Sequence, residues 1–338
     1  MRPKCGWLRL KPSPIVPTVD FDRNGIQHGY LRLPWSRDES AWGNLMIPIT
    51  VVRNGGGPTA LLTGANHGDE YEGPIALVDL ASRLSPDRVN GRVIIVPFMN
   101  TPAFAAGRRL SPADHLNLNR TFPGRPDGTV TEKVADFFQR TLLPMADIVL
   151  DFHSGGRTLD FVPFAACHIL ADKDQEARCI DARNAFGAPY SMMMLEIDSV
   201  GMYDTAAESQ GKVFVTTEIG GGGTATARTV AIAKRGVSNV LKHAGILDGP
   251  VEPSQPIELD MPSSEGFSFS QSEGLVEPTI DLGEHVRKGD LLARVYPVEG
   301  LGRAPAEYRA RIDGILAARH FSGLIGMGDC IAVVAALV

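Results

Sequence analysis

Apolar positions along the chain fall into short blocks of two different periods, and the order of those blocks predicts the fold. Residues 45–53 form the first convincing strand pattern; the stretch before it, residues 1–44, is rich in proline and turn residues and reads as an N-terminal arm or hairpin laid on the main body. Residues 59–63 are a short apolar run ending at Gly64, and Leu77, Leu80, Ala81 and Leu84 follow at helical spacing. The pattern then repeats. Residues 92–97 form a buried-type strand, and residues 129–143 a helix opened by a Thr129/Glu132 capping box, with Val134, Phe137 and Phe138 on its apolar face. Residues 147–153 and 212–218 add two further strands, and residues 225–243 a long helix closed by Gly245. Strands alternating with helices predict an α/β fold over residues 45–248, built on a mixed, mostly parallel sheet flanked by helices.

The composition changes near Asp248, where Gly-Pro-Val-Glu-Pro-Ser-Gln-Pro reads as a linker into a segment with no long helical pattern. Residues 249–338 are expected to be an all-β, barrel-like C-terminal domain. Two similar phrases recur in it: Leu282-Gly-Glu-His-Val-Arg-Lys-Gly-Asp290 before an apolar run, and Gly323-Leu-Ile-Gly-Met-Gly-Asp329 before another. They resemble the two half-motifs of a biotinyl/lipoyl-like barrel, in which each Gly-Asp turn feeds a strand. A carrier of that type presents a modifiable lysine at a hairpin tip. The only lysine after Asp248 is Lys288, inside the first turn phrase, which speaks against a carrier role.

Composition narrows the function. The chain has 338 residues, 43% of them hydrophobic, which is ample for a buried core. With 33 Lys+Arg against 39 Asp+Glu its formal net charge is −6, and no basic patch offers phosphate neutralisation, so a nucleic-acid partner is not expected. Apolar runs fall well short of the roughly twenty residues of a membrane span, and residues 1–10 lack the continuous apolar core of a signal peptide. A cytoplasmic protein is the default expectation. Cys5, Cys167, Cys179 and Cys330 show no C-x-x-C pairing, so neither a thiolate zinc site nor a disulfide framework is indicated.

The candidate chemistry lies at strand ends. Gly64-Ala-Asn-His67-Gly-Asp-Glu70 joins a strand to a helix, the place where open α/β sheets bind ligands. His67 and Glu70 project from a single turn and can chelate one metal ion, and His153 at the end of another strand completes a His₂Glu set that suits Zn²⁺ and leaves one coordination position open. A surface His/Glu pair and a core histidine bonded to backbone are the competing readings. Ser154-Gly155-Gly156 favours the metal reading over a core histidine by placing His153 at a strand end. Glu218 ends the strand before Gly220-Gly-Gly-Gly223 and can serve as general base, or alternatively cap the glycine turn. The glycine run is not a phosphate loop, because the G-x-x-x-x-G-K-[ST] pattern is absent. Arginines gather in Gly107-Arg108-Arg109-Leu-Ser-Pro112 and Asn117-Leu-Asn119-Arg120-Thr-Phe-Pro-Gly124, either as solvated loops or as forks for an anionic substrate.

Taken in order, Gly-Ala-Asn-His67-Gly-Asp-Glu70, Asn-Leu-Asn119-Arg120-Thr-Phe-Pro-Gly, Asp-Phe-His153 and Thr-Thr-Glu218-Ile-Gly resemble the succinylglutamate desuccinylase/aspartoacylase family of zinc-carboxypeptidase-like amidohydrolases, over about residues 45–245. The resemblance implies one zinc per chain held by His67, Glu70 and His153, with Glu218 as general base. It implies that Arg109 polarises the scissile carbonyl and that Asn119 and Arg120 hold a substrate α-carboxylate. The family usually carries Asp where this chain has Asn117, so the charge behind a metal-binding histidine differs. The expected reaction is hydrolysis of a small N-acyl amino acid. A deacylase of N-acetylaspartate or N-succinylglutamate, a metallocarboxypeptidase acting on short peptides and a binding module without catalysis are the alternatives, and self-association stays open. The phrase from Gly25-Ile-Gln-His-Gly29 through Trp35-Ser-Arg-Asp38 to Trp42–Pro48 resembles the subgroup acting on N-acetyl-2,4-diaminobutyrate in ectoine breakdown. Such a substrate carries a side-chain amine and calls for an acidic or carbonyl-lined wall, with Asp69, Glu72 and Asp114 as candidate acids.

Overall fold

A strand that packs helices on both faces must be apolar at successive positions, and Thr59–Thr63 is buried at every one. Its alternate side chains feed two different clusters. Leu61 joins a core with Ile94, Val149 and Phe214 beneath the Val130–Phe137 helix. Ala60 and Leu62 join a core with Ile95, Leu150 and Val215 beneath the Glu72–Arg83 and Ala227–His243 helices. The computed structural model describes residues 11–194, 200–261 and 264–338, so Cys5 and residues 1–10 lie outside the described residues.

Four central strands run parallel in the order Gly91–Val96, Thr59–Thr63, Ile148–His153 and Val213–Gly221. On one side the hairpin of Gly25–Pro34 and Asn44–Asn54 continues the sheet in antiparallel pairing. On the other, Leu159–His168 lies antiparallel to Val213–Gly221, followed in parallel by Tyr190–Met194 and Ile257–Asp260. Every remaining pairing among the described residues is antiparallel, so the sheet is mixed and its parallel character belongs to particular stretches. Cys330–Leu337 pairs with Ile257–Asp260 and with Gly314–His320, and Gly314–His320 pairs back onto Leu159–His168. The sheet is thus partly closed. Strands from both sides of residue 248 contribute to the ring, whose interior holds Val162, Phe164, Met192, Leu259, Ile315 and Ala335. A separate sheet contains Ala306–Arg309, Leu291–Tyr296, Gly274–Pro278 and Leu324–Ile325.

The two Gly-Asp phrases form like turns. Asp290 Oδ2 accepts from Arg287 N at 2.8 Å, and Asp329 Oδ2 accepts from Gly326 N at 2.9 Å. Each feeds a strand, but the two strands lie in different sheets. The Thr129/Glu132 capping box is present, although the helix it opens widens after Phe137 into a looser turn over Phe138–Leu142. Four elements have no clear periodic signature in the sequence: Leu159–His168, Lys173–Phe186, Tyr190–Met194 and Tyr203–Glu208. Among the described residues no helix is long and apolar enough to cross a membrane. Cys167 and Cys179 are buried free thiols, and Cys330 is partly exposed.

The first turn of the Glu72–Arg83 helix rests directly on the central strand below it. A Cβ at Gly73 would lie 2.1 Å from Phe152 Cβ. Alanine favours a helix interior over glycine by about 1 kcal/mol, yet Gly73→Ala is expected to destabilise by about 1–3 kcal/mol through overpacking. Urea unfolding checks this: the midpoint should fall with an unchanged slope, and a raised midpoint would mean that the helix can lift off Phe152 at no cost.

Candidate active site

Strand register assembles the site. His153 and Glu218 are register partners on adjacent parallel strands, so their side chains leave the same face about 4.8 Å apart along the ladder direction. Asp151 precedes His153 by two residues and therefore shares that face, next to its own partner Thr63. All four lie toward the C-terminal ends of the central strands, where the chain after Thr63 turns to deliver His67 and Glu70. That turn holds Ala65 at φ 51°, a left-handed conformation costly for a non-glycine residue. Backbone bonds from Asn100 N to Ala65 O (3.1 Å) and from Gly68 N to Arg108 O (2.9 Å) fix it in place.

Glu70 stands between the two imidazoles. Its Oε1 is 2.8 Å from His67 Nδ1, its Oε2 is 3.0 Å from His153 Nδ1, and Ser154 N donates to Oε2 at 3.2 Å. The opposite ring nitrogens are committed as donors. His67 Nε2 donates at 3.2 Å to Asn117 Oδ1, an oxygen that also accepts from Asn119 N. His153 Nε2 donates at 2.9 Å to Asp151 Oδ2, and Asp151 is itself held by the Thr63 hydroxyl at 2.6 Å. A neutral ring would then turn its Nδ1 lone pair toward a carboxylate oxygen, whereas an imidazolium would donate its Nδ1 hydrogen there. Two protons would serve only if both rings were imidazolium. Burial opposes charge on both rings: for His153 the carboxylates of Glu70 and Asp151 override it and hold the ring well above its usual range, whereas for His67 burial prevails and lowers it. Burial works against charge on Glu70 too, and the two imidazoles reverse that effect and hold its carboxyl far below the usual range.

The donor atoms of His67, Glu70 and His153 lie within 4.8 Å of one another, and all three residues are buried, so this group could hold a metal ion. Two Nδ1 atoms and a carboxylate turned toward one another, with both Nε2 atoms anchored from behind, form a donor set that a shared divalent cation would satisfy once the rings are deprotonated. Asn117 performs its anchoring through an amide oxygen, so the charge behind the histidines comes from Asp151 alone.

A cavity of about 300 Å³ opens onto this group, lined by His67, His153 and Glu218, by Arg109, Asn119 and Arg120, and by His168, Asp204, Met202 and Met261. The expected site residues thus converge on one cavity, with Glu70 buried behind it. Arg109 sits half-exposed at its edge, 3.7 Å from Glu70 Oε1. Glu218 is half-buried, and its Oε2, which is buried, has no hydrogen-bond partner among the described residues. Burial, reinforced by the negative charge of Glu70, pushes its carboxyl up to about 8. Asn119 Oδ1 accepts from Tyr203 N at 3.0 Å, which commits the oxygen to the scaffold and leaves the amide hydrogens as donors.

None of the three acids considered for an amine-binding wall lines the cavity. Asp69 Oδ2 accepts from Arg157 N at 2.9 Å, and Asp114 caps Thr131 through its backbone N and hydroxyl, both at 2.7 Å. Glu72 is buried against Thr229, whose hydroxyl donates to it at 3.3 Å, and burial pushes its carboxyl up to about 7. Among the described residues the acid that does face the cavity besides Glu218 is Asp204, on the short Tyr203–Glu208 helix. Asp151 was legible only as a neighbour of His153, and its anchoring role follows from the period of the strand.

Comparison with known proteins agrees with this geometry. Residues 56–244 match the succinylglutamate desuccinylase/aspartoacylase catalytic domain. The N-alpha-acetyl-L-2,4-diaminobutyric acid deacetylase of Halomonas elongata is 58% identical over 330 residues, spanning 97% of this chain and 96% of that protein. A product-bound structure of the ectoine utilization protein EutE (DoeB) from Ruegeria pomeroyi is similar with a TM-score of 0.95 and 63% identity, covering 96% of this chain and 99% of that one. A succinylglutamate desuccinylase from Silicibacter sp. TM1040 also gives a TM-score of 0.95, at 60% identity over 97% of this chain and 100% of that one. With its motifs, its fold and more than half its length in agreement, the chain belongs to the succinylglutamate desuccinylase/aspartoacylase family.

Proposed function

We propose that the protein is a zinc-dependent amidohydrolase that removes the acyl group from a small N-acyl amino acid, with N-α-acetyl-2,4-diaminobutyrate as its substrate. The observation that carries the reading is the convergence on one cavity of three metal-donor side chains and Glu218, whose buried Oε2 has no partner among the described residues. The substrate follows from the likeness to the Halomonas elongata deacetylase over nearly the whole of both chains. A cavity near 300 Å³ suits a ligand of amino-acid size better than an extended peptide, which favours a deacylase over a carboxypeptidase.

In this reading His67, Glu70 and His153 hold Zn²⁺, one ion per chain. When bound, the ion supplies Lewis-acid activation of the attacking water and of the scissile carbonyl. The remaining work belongs to the chain. Glu218 Oε2, free of other hydrogen bonds, takes the proton of the attacking water and returns it to the leaving nitrogen. Its raised basicity, produced by burial, suits both halves of that transfer. Arg109 offers its guanidinium to the oxygen that becomes negative as the carbonyl turns tetrahedral. Asn119, through its amide hydrogens, and Arg120 grip the α-carboxylate and set the amide bond against Glu218.

A side-by-side assay tests the substrate: kcat/KM should be higher for N-α-acetyl-2,4-diaminobutyrate than for N-acetylaspartate or N-succinylglutamate, and the reverse ranking would reassign it. Glu218→Gln preserves shape but accepts no proton. Turnover should therefore drop by about 10²–10⁴-fold while elemental analysis finds the metal still bound; near-normal turnover would leave Glu218 a structural role at the glycine turn. Metal binding should also release protons at pH 7. In the metal-free protein the Glu218 carboxyl at about 8 and the raised His153 are both protonated there, and a nearby cation favours their deprotonated forms. Zinc affinity should accordingly rise with pH toward 8. Calorimetry in buffers of different ionisation enthalpy measures the release, and zero net release would contradict the assignment.

A further inference from the structure

We propose that Asp204, backed by His168 and Glu208, is the specificity residue that receives a positively charged substrate side chain, so that the enzyme selects N-acyl amino acids bearing a short side-chain ammonium. The inference rests on the deacylase reading above and adds to it the residue that chooses among substrates.

Asp204 and His168 line the same cavity as Arg109 and Arg120. Asp204 is only 6% exposed, and its Oδ1 accepts from Thr205 N at 2.5 Å and from the Thr205 hydroxyl at 3.2 Å. Its Oδ2 lies 3.9 Å from His168 Nε2, while His168 Nδ1 pairs with Glu208 Oε1 at 2.8 Å. Two carboxylates therefore share one imidazole. Among the described residues the guanidiniums on the cavity are those of Arg109 and Arg120, and a carboxylate enters its lining at Asp204. A buried carboxylate there welcomes an ammonium and repels the second carboxylate of N-acetylaspartate or N-succinylglutamate.

The Asn119/Arg120 grip and Asp204 are mechanically joined. Tyr203, adjacent to Asp204, donates its backbone N–H to Asn119 Oδ1 at 3.0 Å, and Phe122 N donates to Gly201 O at 3.0 Å. The separation between carboxylate grip and ammonium acceptor is thereby set by two hydrogen bonds, which selects side-chain length as well as charge.

The test compares N-α-acetyl-2,4-diaminobutyrate with N-acetylnorvaline, in which a methyl replaces the ammonium, using wild type and Asp204→Asn. Loss of a charged hydrogen-bond partner should lower kcat/KM for the ammonium substrate by about 10- to 100-fold and leave the norvaline derivative and the zinc content unchanged. An equal fall for both substrates would make Asp204 merely structural and overturn the proposal. Inhibition of wild type by free 2,4-diaminobutyrate and by norvaline supplies a second measurement that needs no variant. Tighter binding of the diamine supports the proposal, and equal binding overturns it. A wild type that binds the diamine preferentially but hydrolyses neither acyl derivative would instead refute the deacylase reading.

Discussion

The site is organised around one crowded contact: the Glu70 carboxylate stands between two imidazoles whose Nε2 atoms are already engaged by Asn117 and Asp151. Both Nδ1 atoms face its oxygens, at 2.8 and 3.0 Å. In water these charges would be screened; in a buried site they are not. Strand register, the left-handed turn at Ala65 and the Asn100 backbone bond leave the three side chains little freedom to separate. Preorganisation of this kind would let a divalent cation bind without rebuilding the protein around it.

The same arrangement governs Glu218. It neighbours His153 by register but lies outside the Glu70 cluster, so it feels that carboxylate's charge without sharing its hydrogen bonds. Burial and a nearby negative charge both raise its proton affinity, which keeps a glutamate useful as a proton carrier near neutral pH. One carboxylate is held ionised by imidazoles and another held basic by isolation. The environments, and not the residue type, divide the labour.

Legibility in the sequence followed periodicity. His67, Glu70, His153 and Glu218 each follow a continuous apolar run, which marks a strand end, and strand ends in this architecture are where ligands bind. The central strands and their helices were readable for the same reason. The polar wall at Asp204 and His168 was not. Leu159–His168 alternates poorly because several of its positions are buried within the closed ring, the Lys173–Phe186 helix carries many charges and a thin apolar stripe, and Tyr203–Glu208 is a helix of six residues. Asp204 and His168 come together only through the tertiary fold, whereas Asp69, Glu72 and Asp114 lie beside the motifs in sequence yet cap, brace and pack in the structure. Similar Gly-Asp phrases likewise promised one barrel, whereas their strands are shared between two sheets.

The ring closure through Gly314–His320 and Cys330–Leu337 has a consequence for how the protein is made. Leu159–His168 finds one of its partners more than 150 residues later, and Met261 reaches the cavity from the same late segment. A chain emerging from the ribosome can build the His67/Glu70/His153 cluster and the two helical layers early, because those contacts lie within the first three quarters of the sequence. The complete cavity must wait for the last strands to dock. Until then the nascent protein exposes an unpaired strand edge, so the interval between synthesis of Tyr190–Met194 and of the C-terminal strand is the period in which this fold is most open to aggregation.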